Sequence, residues 1–227
     1  MKPKALLAAV VVALAVVAAL PSTGGAANEC RRITACIPVA GPWVVLNRPT
    51  ESDFLLSCGR RGVVGGLDAV ATTSGVRVAF EGRIGAPVSP GVTTTTSAYF
   101  RGVLVKGRVA AFQPWLGCIP AGSAGGRSTV SARVAPGPAL DRRARIVVVS
   151  PGEVKTSSIG CPVGEKLVGG WHAVAFRTKK PPDLGNASLV HVTRVVTRST
   201  VVATVLATDA LSVDAHAVVQ VGAVCAP

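Results

Sequence analysis

The sequence is short of acidic residues and of histidine, and beyond its first twenty residues it has no long apolar run. Its 227 residues hold 11 Asp and Glu, 3 His and 24 Lys and Arg. A glycosidase needs two carboxylates converging on a cleft. Here Glu51, Asp53, Asp68, Glu81, Asp141, Glu153, Glu165, Asp183, Asp209 and Asp214 are scattered, most of them in expected turns. Three imidazoles could make a zinc site, but His172, His191 and His216 each stand singly in an expected strand, with no partner at ligand spacing. No metal and no cofactor is therefore expected. No serine lies in a GxSxG elbow, and the Gly-Ser stretch at 122–126 falls between expected elements. Asp214 and His216 are two apart and could touch on one strand face, a pair more often surface decoration than half of a triad. After the leader no stretch keeps the period of an amphipathic helix, which excludes a helical architecture.

What is present begins with a leader. Lys2 and Lys4 precede an unbroken apolar run from Ala5 to Leu20, and small residues lead to Asn28. Residues 1–27 read as a secretory signal peptide cleaved after Ala27. The run is 16 residues long, short of the roughly 20 that cross a bilayer, so no transmembrane span is expected in the mature chain. No cysteine follows closely enough for a lipoprotein anchor. The sortase-like "LPSTG" at Leu20 to Gly24 sits at the wrong end of the chain and would leave with the leader.

Removing Lys2 and Lys4 lowers the formal charge from +13 to +11. Such a surface draws anionic partners by long-range attraction. An exported protein seldom meets nucleic acid as its working ligand, so an anionic cell-envelope polymer, an acidic glycan or phospholipid headgroups are the expected partners. The 6 cysteines of an exported chain read as three disulfides.

Two segments nearly repeat. "CGRRGVVGGLDAVA" from Cys58 matches "CPVGEKLVGGWHAVA" from Cys161, pairing Gly65-Gly66 with Gly169-Gly170. Upstream, "WVVL" from Trp43 matches "IVVV" from Ile146. Downstream, Gln113 and Cys118 fall on Gln220 and Cys225. The expected organisation is an N-terminal segment at 28–40 with a small cysteine loop, a unit at 41–120, an exposed linker at 121–143 and a second unit at 144–227. The linker holds Arg142 and Arg143 and leads into Arg145, and a short strand is expected at 128–134. Stretches such as "GVRVAFEGRI", "VTTTTSAYFRGVLV", "SLVHVTRVV" and "TVVATVLATDAL" are rich in Val, Thr and aromatics and are punctuated by Gly, Pro, Asn or Ser. The fold class expected is all-β: two duplicated, disulfide-linked, β-sandwich-like units after a signal peptide.

In the last strand Val213, Ala215, Ala217, Val219, Val221, Ala223 and Cys225 alternate onto one face, expected to be core, with Asp214, His216, Val218, Gln220 and Gly222 opposite. A cysteine before each Gly-Gly strand and one ending each unit predict Cys58–Cys118 and Cys161–Cys225, leaving Cys30–Cys36 as a local staple. A rearranged pairing through Cys36 stays open, because "CIP" occurs at both Cys36 and Cys118. With all cysteines so committed, none is left as a nucleophile. Each Gly-Gly pair marks a bulge or a close backbone approach. Pro114, which has no N–H to give a ladder, belongs on an edge strand or at a bulge.

At "CPVG…VGGW…VCAP" the second unit resembles a loose class of bacterial exported repeats, in which a CPxG turn leads to a Gly-Gly strand and the unit closes on Cys-Ala. The resemblance covers residues 161–227; the first unit departs from it with "CGRRG" and "CIP". It implies extracellular β-structure and no catalytic residues, since the class has no established common activity. An immunoglobulin reading is set aside, because each final cysteine ends its unit and leaves no room for a further strand.

Binding signals remain. Arg60 and Arg61 lie in the first duplicated turn, Arg142, Arg143 and Arg145 near the linker, and Lys179 and Lys180 in a long loop. Tyr99 adjoins Phe100 and Arg101, and guanidinium beside aromatic rings holds anionic sugars or polymers. The function expected is a secreted, non-catalytic module, binding or structural, for anionic polymers. The alternative is a secreted hydrolase with a site between the units built on His172, His191 or His216.

Overall fold

The computed structural model describes residues 36–59, 62–81, 87–89, 92–93, 96–120 and 140–227. Their regular structure is nearly all strand, as expected from the Val- and Thr-rich segments: β1 Ile37–Ala40, β2 Trp43–Asn47, β3 Ser52–Ser57, β4 Gly62–Ala71, β5 Val76–Glu81, β6 Pro87–Ser89, β7 Val92–Thr93, β8 Ser97–Leu104, β9 Val109–Pro120, β10 Asp141–Val148, β11 Val154–Gly160, β12 Lys166–Phe176, β13 Val190–Val196, β14 Thr200–Ala207 and β15 Ala217–Ala226. No helix among the described residues is long and apolar enough to cross a membrane. The leader and the strand expected at 128–134 lie outside the described residues.

β9 runs between β4 on one side and β1 followed by β2 on the other, and β15 runs between β12 and β10. The two groups join where Ala175 and Phe176 of β12 pair with Val44 and Trp43 of β2, making one sheet of seven strands. Separate three-stranded sheets, β3-β8-β5 and β11-β14-β13, accompany the first and second groups, and β6 pairs with β7. The halves are thus not independent bodies on a tether. They share a sheet, and they exchange core residues across it. Val44 and Leu46 of β2 pack with Phe54, Phe100 and Phe112, together with Ala173 and Ala175 of β12. Val45, pointing the other way by strand alternation, packs with Phe176, Val201 and Val219.

β10 begins at Asp141, so Arg142 and Arg143 are strand residues rather than linker. Their pairing with Val224 and Ala223 of β15 fixes them. The last strand also departs from expectation. Val213–Ala215 form a 3-10 turn capped by the Ser212 hydroxyl, His216 takes the left-handed conformation at φ 46°, and β15 starts only at Ala217. Asp214 and His216 therefore do not share a strand face. From Ala217 the odd-numbered face is core as expected, but the opposite face is equally buried, with Val218 and Gln220 each 1% exposed. The first half covers it.

Both expected bridges are present, Cys58–Cys118 and Cys161–Cys225, each with Cα atoms 5.6 Å apart. Cys36 is disulfide-bonded as well, while its expected partner Cys30 lies outside the described residues. Register shifts fall between Val64 and Gly66 on β4 and between Leu167 and Gly169 on β12, the bulges expected at the Gly-Gly pairs.

Pro114 sits in central strand β9, against the expectation of an edge. It is accommodated because the facing strand is interrupted between β1 and β2. The Pro114 carbonyl accepts from Gly41 N–H at 2.8 Å, and a Cβ on Gly41 would lie 2.6 Å from the proline ring. Proline cannot return a donor to the Gly41 carbonyl. The Gln113 amide supplies it instead, at 2.9 Å.

Candidate functional site

Among the described residues β3 pairs only with β8, and its other edge runs against the face of the second half. Gln220 of β15 meets that edge. Its Oε1 accepts from Leu55 N–H at 2.7 Å and its Nε2 donates to the Leu55 carbonyl at 2.8 Å. Trp171 Nε1 donates to the same oxygen at 3.3 Å. A buried carboxamide in an apolar strand must find such partners, because an unsatisfied one costs several kilocalories. Beside it the Tyr99 ring packs edge-on against Trp171, with centroids 5.0 Å apart. Arg142 of β10 lies over its face at 4.6 Å and Arg101 at 6.0 Å. Arg101 is held in turn by Asp53 at 2.9 Å and Glu51 at 3.5 Å. Burial, followed by the neighbouring Asp53 carboxylate, pushes the Tyr99 hydroxyl well above the ordinary tyrosine range. This cluster joins the halves.

Next to it the halves part into a cleft of about 690 Å³, within the size range of ligand sites. One wall is β3, from Phe54 to Ser57. The other includes Ala144 and Ile146 of β10, with Gln220 between them, and Arg177 and Lys179 stand in the loop that follows β12. Ile146 is 42% exposed although apolar. Arg177, Lys179 and Lys180 are exposed, and no carboxylate among the described residues pairs with them. Thr178 Oγ1 donates to the Lys180 carbonyl at 2.7 Å, shaping the loop.

The expected cationic residues are thus sorted. Lys179 reaches the cleft and Lys180 follows it. Strand alternation splits the arginine cluster: Arg142 covers Tyr99, while Arg143 turns to the other face and donates to the Gly160 carbonyl at 3.3 Å, with Arg145 on its side. Arg60 and Arg61 lie outside the described residues. Tyr99 is only 3% exposed, so it is a packing element of the junction and not an open platform for a sugar. Arg177 was not singled out from the sequence; its only signal is its place at the end of a Gly-Gly strand, just before the loop of Lys179.

The histidines are not brought together. No cluster of three His, Cys, Asp or Glu able to hold a metal occurs among the described residues, and none of the three histidines lines the cleft. His172 stands on β12 on the side of Val174, towards the second half's own core. Its Nδ1 is buried without a hydrogen bond among the described residues. Burial, and then the Arg194 charge, hold its pKa below the ordinary histidine value. His191 and His216 are exposed.

No family model matches the chain, and no curated protein or solved structure matches it.

Proposed function

We propose that the protein is a secreted binding module for an extended anionic polymer, such as an acidic glycan of the cell envelope, held across the cleft between the halves. The observation that carries this reading is the pair Arg177 and Lys179, exposed at a largely apolar cleft with no carboxylate partner among the described residues. Unpaired cations beside low-dielectric walls attract anions more strongly than the same charges on an open surface. The excess of basic residues adds long-range attraction, and the disulfides and the leader-like segment suit an exported protein.

The test is retention on immobilised polygalacturonate at low ionic strength. The protein is expected to bind and to elute as salt rises, because exposed charges are screened beyond roughly 10 Å at 0.1 M. The double variant Arg177→Glu, Lys179→Glu is expected to elute at markedly lower salt. Passage of the unaltered protein through the column at low salt overturns the reading.

A further inference from the structure

β10 pairs with β15 on one side, and no strand among the described residues adjoins its other edge. Val149 N–H donates to the Ala217 carbonyl at 3.1 Å. By antiparallel alternation Val147, Arg145 and Arg143 then aim their backbone groups at β15, whereas Val148, Ile146, Ala144 and Arg142 aim theirs outward. The Val148 carbonyl fits this, since it accepts from Lys155 Nζ at 2.9 Å. Ala144 and Ile146 are also the β10 residues that line the cleft. Their N–H and C=O groups have no protein partner on that edge among the described residues.

An open edge is a template for another strand. Arginines on such an edge repel a second copy of this basic chain, and the same charge favours an acidic one. Side chains of an added strand would alternate between the two faces. Those on one face meet Arg143 and Arg145, both exposed. Those on the other enter the cleft beside Ile146, where Arg177 and Lys179 stand.

We infer that the outer edge of β10 at Ala144 and Ile146 receives an extended acidic peptide by strand addition, with acidic side chains on the Arg143 and Arg145 face and small apolar ones against Ala144 and Ile146. The inference rests on the polyanion reading and specifies it: the polymer is polypeptide, its carboxylates lie beside the cleft on the Arg143 and Arg145 face, and backbone hydrogen bonds, rather than charge alone, order it.

An alternating Glu-Val octapeptide, titrated calorimetrically into the full chain, tests this against the same peptide with alternate backbone nitrogens methylated. Methylation keeps every side chain and removes the donors. The methylated peptide is expected to bind at least about tenfold more weakly, a small number of backbone hydrogen bonds being worth that much. Ile146→Pro removes an outward N–H and no bond of the β10–β15 ladder, so it is expected to weaken peptide binding similarly while retaining a cooperative thermal transition. Equal binding of the two peptides overturns the inference, as does failure of the Glu-Val peptide to bind a protein that polygalacturonate retains. Failure of both ligands overturns the underlying cleft reading instead.

Discussion

The carboxamide of Gln220 hydrogen-bonds both the N–H and the C=O of Leu55, across 165 residues of sequence. A single side chain thereby takes the place of a neighbouring strand at the open edge of β3, and it fixes how the two halves lie against each other. Gln113 acts within its own half, serving the carbonyl of Gly41 that Pro114 cannot serve. The same residue type thus answers two different backbone deficits.

Gln220→Ala is expected to destabilise the protein by about 2–4 kcal/mol, because it leaves the Leu55 groups and Trp171 Nε1 without their partner in a water-poor junction. Gln220→Glu is expected to be at least as damaging, since it sets a carboxylate oxygen against the Leu55 carbonyl. Urea unfolding of both variants measures this. A loss below about 1 kcal/mol for Gln220→Ala would mean that the junction readmits water at little cost.

Gly222 lies under Trp171, and a Cβ there would overlap the indole ring. Gly222→Ala is expected to cost about 1–3 kcal/mol, the usual range for overpacking a closed core. If displacement of the indole is the cause, Trp171→Leu placed with Gly222→Ala should recover part of the loss, and the two changes should be non-additive in a double-mutant cycle.

Much of the strand layout was legible because it is local. Alternation and turn residues marked β5, β8, β13 and β14 within a few positions, and the cysteine placement marked both bridges. The site was less legible. Arg142 and Arg143 follow a stretch of small residues and proline that reads as linker, yet their pairing with Val224 and Ala223 draws them into the sheet. Gln220, Val218 and Gly222 looked like an outward face because no local pattern reveals that another half will cover them. The left-handed turn at His216 likewise lacks the glycine that would announce it.

Cys161–Cys225 closes a sequence separation of 64. Replacing both cysteines with serine is expected to cost up to about 4 kcal/mol on the chain-entropy model. Each bridge joins one buried cysteine to one partly exposed, Cys225 to Cys161 and Cys118 to Cys58, so a cavity-like loss adds to both. With separations of 60 and 64, the Cys58 and Cys118 double variant and the Cys161 and Cys225 double variant should melt close together when each is followed by thermal unfolding. A wide gap would place the greater contribution in the half whose variant melts lower.

His172 is held neutral chiefly by burial, with the Arg194 charge acting in the same direction. Its folded pKa lies below the unfolded value of about 6.5, so as pH falls below that value the unfolded chain takes up a proton that the native one resists. Stability from this group is complete above pH ~6.5 and declines as pH drops towards the folded pKa. His172→Gln is expected to flatten the unfolding free energy below about pH 6.5 relative to the unaltered protein. Parallel curves for the two would remove His172 from the acid response.

Tyr99 is the only tyrosine in the chain, so tyrosinate absorbance reports one junction. Burial first, and Asp53 second, raise its pKa above the ordinary value, which makes the neutral phenol the form that the fold requires. Stability from this group is fully present below the unfolded pKa of about 10 and is lost as pH rises beyond it, because only the unfolded chain ionises readily. Tyrosinate should therefore appear in one step with unfolding, and after the ordinary tyrosine range has passed. Asp53→Asn removes the second cause and leaves burial, so it should bring ionisation to lower pH while keeping it above that of free tyrosine. Ionisation of the native protein near pH 10 without loss of structure would show that the ring is reached by water, and with it that the Tyr99, Trp171 and Arg142 contact does not close the junction between the halves.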